Sequence, residues 1–77
     1  MKVLVTGAFG NVGMSTVQEL LRQGHQVRCF DLKTRANERA ACRFRKQIEV
    51  IWGDLRRPDD VAGAVRDQDV VIHLAFI

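Results

Sequence analysis

Between its sixth and thirteenth residues the chain reads Thr6-Gly7-Ala8-Phe9-Gly10-Asn11-Val12-Gly13. Directly before it stands Val3-Leu4-Val5, a β-branched-rich run that predicts a short buried strand. Behind it a helix is predicted from about Asn11 to Gln23. Val12, Thr16, Leu20 and Gln23 share one side of that helix, and Met14, Val17 and Leu21 broaden its apolar face. Each glycine of the turn has its own task. Gly7 permits a tight exit from the strand, Gly10 lets backbone approach a pyrophosphate with no Cβ in the way, and Gly13 lets helix and sheet pack closely. Backbone N–H groups at the helix start then face the anion, aided by the helix dipole. The candidate phosphate cradle is therefore Gly7, Phe9, Gly10, Asn11, Val12 and Gly13. A nucleoside triphosphate site would need Lys and then Ser or Thr after the last glycine, but Gly13 is followed by Met14-Ser15.

Outward from this turn, Gly24 supplies a helix stop, and Gln26-Val27-Arg28-Cys29-Phe30 alternates as a second strand closing at Asp31. Asp31 lies 18 residues beyond Gly13, where a carboxylate can accept hydrogen bonds from both hydroxyls of an adenosine ribose. Asn37 is placed to cap a short helix through Ala40, Ala41 and Phe44. Gln47 to Trp52 reads as a third strand ended by Gly53-Asp54. Pro58, Asp59 and Asp60 suit the start of another helix, which packs through Val61, Ala64 and Val65. Val70 to Ala75 is a fourth strand, apolar enough for a parallel sheet covered on both faces. The order β-α-β-α-β-α-β predicts an α/β fold of parallel strands joined by helical crossovers.

Composition narrows the class further. A chain of 77 residues holds one domain, and 47% apolar content with a single proline excludes disorder. Two cysteines build no disulfide scaffold, and Cys29 and Cys42 have neither CxxC spacing nor a histidine suited to zinc, so no metal is expected. No stretch approaches the roughly 20 apolar residues of a membrane span, and no signal peptide is read at the start. A cytoplasmic protein without membrane contact is expected. The basic run from Arg35 through Arg39, Arg43, Arg45 and Lys46 is read as a solvated helix face, since no aromatic stacking pattern accompanies it. No nucleic-acid partner is expected. His73 is read as structural and His25 as a turn residue.

Four stretches together resemble the extended short-chain dehydrogenase/reductases, the NAD-dependent epimerase/dehydratase family. They are Thr6-Gly7-x-x-Gly10-x-x-Gly13, Asp31 after its strand, Gly53-Asp54-Leu55, and Val71-Ile72-His73-Leu74-Ala75. The resemblance covers essentially the whole chain. It implies a partial Rossmann fold with strand order 3-2-1-4, residues 1–77 forming the N-terminal part of an NAD(P)-binding domain. It further implies that Asp54 and the backbone of Leu55 contact the adenine and that Leu74, Ala75 and Phe76 line the cofactor cleft. The family usually has Ala where Phe76 stands.

That family uses a Tyr-x-x-x-Lys pair, and this sequence contains no tyrosine, so no catalytic residue is assigned. The expectation is a cofactor-binding segment whose parent is an epimerase, dehydratase or reductase acting on a nucleotide sugar or related hydroxyl or carbonyl substrate. The alternative is a regulator that senses the dinucleotide without turnover. NAD is expected in preference to NADP, because a 2′-phosphate would stand against Asp31. Arg28, Lys33 and Arg35 are the residues that can favour the phosphate instead. Beyond Val70 no charge protects the fourth strand, which predicts self-association through that edge.

Overall fold

The computed structural model describes residues 1–75, so Phe76 lies outside the described residues. The elements are β1 (Lys2–Thr6), α1 (Asn11–Arg22), β2 (Gln26–Asp31), α2 (Arg35–Phe44), β3 (Ile48–Trp52), α3 (Pro58–Val65) and β4 (Val70–His73). The four strands form one parallel sheet in the order β3-β2-β1-β4. This is the expected order. Moving from β1 through β2 to β3 runs one way across the sheet, and β4 returns to the other side of β1. Crossovers of one hand must then put helices on opposite faces. Val3, Val5, Val27 and Cys29 pack with Val17 of α1 and with Ala40 and Phe44 of α2. On the other face Leu4 and Phe30 pack with Ala64 of α3. The point where the order reverses, between β1 and β4, opens a crevice at the carboxyl ends of the strands.

Several local details differ from the sequence reading. Val12 is 67% exposed, and α1 instead buries Gly13 and Val17, with Met14, Leu20 and Leu21 packed against the core. Gly13 sets this rotation by pressing against the preceding turn, which carries Val12 outward. The helix stops as expected: Gly24 takes φ +88°, its N–H donates to Leu21 O, and His25 N–H donates to Leu20 O. Thr34, rather than Asn37, caps α2. Its Oγ1 accepts from the Asn37 N–H at 3.1 Å, because an N-cap hydroxyl reaches the amide three residues on. The Asn37 side chain donates to Leu32 O at 2.7 Å. β3 starts at Ile48, since Gln47 closes a 3-10 turn over Arg45–Gln47. β4 ends at His73, because Gly7 turns β1 away with φ +67° and leaves nothing for Ala75 to pair with along the ladder. Val70 and Ile72 pack into the larger core, whereas Val71 is 47% exposed, so β4 is covered on one face only.

Arg28 is also reassigned. Its NH1 donates to Ala64 O at 2.9 Å and to Arg66 O at 2.8 Å, and its Nε donates to Glu49 Oε1 at 2.7 Å. The guanidinium caps the C-terminal end of α3 and ties β2, β3 and α3 together. In this structure its guanidinium is directed to the end of α3. No helix of the described residues is long and apolar enough to cross a membrane. Arg28→Met should destabilise the fold by about 1–3 kcal/mol, since two carbonyls lose a charged donor at a side chain only 15% exposed. Glu49→Gln should cost less than about 1 kcal/mol, because Glu49 is 59% exposed. Urea denaturation of both variants measures the difference.

Candidate functional site

The crevice at the strand ends encloses about 510 Å³. Gly7, Gly10, Asp31, Asp54, Leu55, Leu74 and Ala75 line it, together with Phe30, Leu32, Asn37, Gly53 and Arg56. Seven expected residues therefore meet in one cavity. The other five were not among the expected site residues.

The glycine-rich turn is tight at two of its three glycines. A Cβ on Gly7 would meet Ala75 N at 2.7 Å, on a backbone already at φ +67°. A Cβ on Gly13 would meet Gly7 O at 2.1 Å and the Ala8 carbonyl carbon at 2.7 Å. Both glycines are required by the fold. Gly10 is different: its φ is −76°, and an added Cβ would meet only Gly7 O, at an ordinary 3.7 Å. Nothing in the protein demands glycine there, so the open side of Gly10 is free for a ligand. Gly10 is also the N-cap of α1, whose start has no side-chain cap and no acidic residue in the first turn. The first helical N–H groups are left for an anion.

Asp31 stands at the end of β2, opposite this turn. Its Oδ2 accepts from the Phe9 N–H at 3.1 Å, and its Oδ1 accepts from the Leu32 N–H at 2.8 Å. A carboxylate offers about four acceptor positions, so each oxygen retains one for a hydroxyl pair. Phe9 is buried, its ring 5.5 Å from that of Trp52, and it contributes its amide to Asp31 rather than a cavity wall. Asn11 and Val12 are exposed at the start of α1, outside the cavity lining, and Gly13 is buried behind it. Lys33 and Arg35 are exposed and do not line the cavity either.

At the far end, Asp54 accepts from Arg56 through both oxygens, the shorter contact being 2.7 Å. The Arg56 guanidinium, helped by its backbone N–H, holds the Asp54 carboxyl down at about 2. The Asp54 N–H donates to Asp60 Oδ2 at 2.9 Å, which joins this loop to the first turn of α3. Cys29 lies within β2, fully buried. Desolvation first, and then the Asp31 charge, push its thiol up to about 12, so it stays protonated and inert. Cys42 is exposed, and both cysteines are free thiols.

Uncapped helix start, open glycine and two-faced carboxylate fit the phosphate and ribose of a dinucleotide. Residues 4–77 match the model of the 3-beta hydroxysteroid dehydrogenase/isomerase family. The chain belongs to that family. A 3 beta-hydroxysteroid dehydrogenase/Delta 5-->4-isomerase of Mycobacterium tuberculosis is 42% identical over 76 residues, covering 99% of this chain and 19% of that protein. Among solved structures, a short-chain dehydrogenase/reductase superfamily protein of Agrobacterium tumefaciens with bound NAD superposes with a TM-score of 0.80. It is 30% identical and is matched over all of this chain and 21% of its own. A Thermus thermophilus UDP-glucose 4-epimerase in complex with NAD gives 0.77 at 32% identity, over all of this chain and 24% of that one. The expected kinship with extended short-chain dehydrogenase/reductases holds. The chain spans about a fifth of the length of the curated relatives it matches.

The residues missed by the sequence reading are wall residues: Phe30 and Leu32 flank Asp31, Gly53 and Arg56 flank Asp54-Leu55, and only Asn37 is remote. Its signal was present as a polar residue six positions beyond Asp31, but it was read as a helix cap. The three glycines give separable outcomes. Gly7→Ala and Gly13→Ala should each lower stability by more than about 3 kcal/mol, since backbone blocks the new methyl. Gly10→Ala should cost no more than about 1 kcal/mol and keep the helical signal. Thermal melts followed by circular dichroism test all three.

Proposed function

We propose that this chain is the dinucleotide-binding segment, the N-terminal part, of a longer NAD-dependent enzyme acting at a carbon that bears a hydroxyl or carbonyl group. The observation that carries this reading is Gly10, where the fold leaves an opening at an uncapped helix start with the Asp31 carboxylate opposite. A 3 beta-hydroxysteroid dehydrogenase and a UDP-glucose 4-epimerase, by their names, both act at such a carbon. Bound NAD supplies the hydride acceptor. Residues of this chain do the binding: α1 and the glycine-rich turn take the pyrophosphate, Asp31 takes the ribose hydroxyls, and Leu55 with Asp54 flanks the adenine. The Tyr-x-x-x-Lys pair that the family uses would be supplied by residues elsewhere in the parent, since this sequence contains no tyrosine. Free thiols and a requirement for soluble cofactor suit the cytoplasm.

The reading favours NAD over NADP. A 2′-phosphate would add negative charge next to Asp31, and Arg28, tied to α3, cannot answer it. Calorimetric titration should give at least about tenfold weaker binding for NADP. Asp31→Asn should weaken NAD binding while keeping one acceptor for the Phe9 N–H, and Asp31→Ala should weaken it further. Gly10→Val should abolish it, since a β-branched side chain fills the opening. Tighter binding of NADP than NAD by the unmutated chain would sink the assignment.

Self-association is part of the same proposal. β4 forms one edge of the sheet among the described residues, and Val71 on its open face is 47% exposed. An apolar edge without charge invites pairing with a second strand. Sedimentation at rising concentration should show a dimer or larger species, and a persistent monomer would exclude it.

A further inference from the structure

At one end of the crevice the Asp54 carboxylate is almost fully occupied, and a single residue occupies it. The Arg56 backbone N–H and Nε donate to Oδ1 at 2.9 and 3.0 Å. NH2 of the same guanidinium donates to Oδ2 at 2.7 Å, and Nε stands 3.2 Å from that oxygen. A carboxylate offers about four acceptor positions. Oδ1 is filled by its two donors, and NH2 fills one position on Oδ2. One position on Oδ2 is left. Both residues line the crevice, their side chains 23% and 68% exposed. The carboxyl, held down at about 2 by Arg56, is ionised through the neutral range, so the open position accepts and never donates.

We propose that Arg56 is a positioning residue for the purine base: by clamping both oxygens of Asp54 it leaves one fixed acceptor at the crevice, which selects a base bearing a 6-amino group over one bearing a 6-oxo group. This rests on the NAD-binding reading above, in which Asp54 flanks the adenine. The loop around the carboxylate is already fixed by its backbone. The Asp54 N–H donates to Asp60 Oδ2 at 2.9 Å, and the Arg57 N–H donates to Asp54 O at 3.0 Å. What remains to be set is the orientation of the carboxylate plane. The Arg56 N–H alone would pin Oδ1 and leave Oδ2 free to swing about that one contact. The side-on guanidinium adds a second point of attachment at Oδ2, and two points fix the plane.

The chemistry of the fixed plane is one-sided. An exocyclic amino group donates to the open position, whereas a 6-oxo group sets one acceptor against another. The Nε–NH2 edge of the planar guanidinium is turned to Asp54, so it offers an oxo group no donor at that position. A released carboxylate would behave differently with the two bases. It would have to be immobilised again to meet the amino group, and it could swing away from the oxo group. Loss of the clamp therefore lowers the preference from both sides.

Calorimetric titration of the chain with NAD and with nicotinamide hypoxanthine dinucleotide, which carries a 6-oxo group in place of the 6-amino group, reads the selection as a ratio. The unmutated chain should prefer NAD by about tenfold or more. Arg56→Met should reduce that preference about three- to tenfold, the cost of ordering one freed side chain, with an unchanged circular dichroism spectrum. Arg56→Lys, which returns one donor to Oδ2, should recover part of it. Arg57→Met removes the same charge one residue on without touching the Asp54 side chain, and it should keep the full ratio. In an Asp54→Asn background, Arg56→Met should change the ratio by less than about twofold. An unchanged ratio in Arg56→Met, or an equal fall in Arg57→Met, would overturn the inference and leave NAD binding standing. If the unmutated chain binds neither dinucleotide, the NAD-binding reading falls and the inference falls with it.

Discussion

Three backbones meet without side chains between them: the turn at Gly7, the start of α1 at Gly13, and the exit of β4 at Ala75. A methyl on Gly13 would overlap Gly7 O at 2.1 Å, and one on Gly7 would overlap Ala75 N at 2.7 Å. This double contact fixes where α1 begins relative to the sheet, and therefore where its positive end points. It also fixes which face of α1 is inward. Gly13 is the contact point, Val17 follows one turn later, and Leu20 and Leu21 follow after that. The wall of the crevice and the packing of the first helix are thus two results of one constraint.

Asp31 extends the same constraint across the sheet. Its carboxylate accepts from the Phe9 N–H inside the glycine-rich turn and from its own neighbour Leu32, so the end of β2 is laced to the exit of β1. A second backbone link, from the Gly7 N–H to Phe30 O at 3.0 Å, runs parallel to it. The acidic residue is therefore structural before it is functional. Any substitution there changes the hydrogen bonds that hold the turn. An amide side chain separates the two roles better than a methyl.

The architecture was legible in the sequence because its signals are periodic and local. The alternation of strands and helices and the tight turns at Gly7 and Gly13 follow from short spacings, and the strand order follows from the family resemblance. Asp31, Asp54, Leu55, Leu74 and Ala75 reach one cavity because a parallel sheet gathers its carboxyl ends on one side. What was not legible depends on contacts between distant elements. Arg28 looked like a cation close to Asp31, yet residues on alternate sides of a strand face opposite ways, and it points to the end of α3. Val12 fitted the apolar face on spacing alone, but the contact at Gly13 rotated the helix away from it. Thr34 and Asn37 are both good caps by type. Only the conformation at Thr34, extended at φ −123° and ψ 162°, decides between them.

The polar groups around the crevice share one property: each is already holding backbone or another charge. The Thr6 hydroxyl serves Leu74 and Ala75, His73 Nδ1 serves Thr6, and Asp31 serves Phe9 and Leu32. Asp54 is paired with Arg56, and the Cys29 thiol is buried and held protonated. Groups committed in this way suit a preorganised binding surface, whose worth lies in not moving when charge is bound. A crevice whose Thr6, Asp31 and Asp54 side chains are fastened in this way can present a dinucleotide in a fixed geometry.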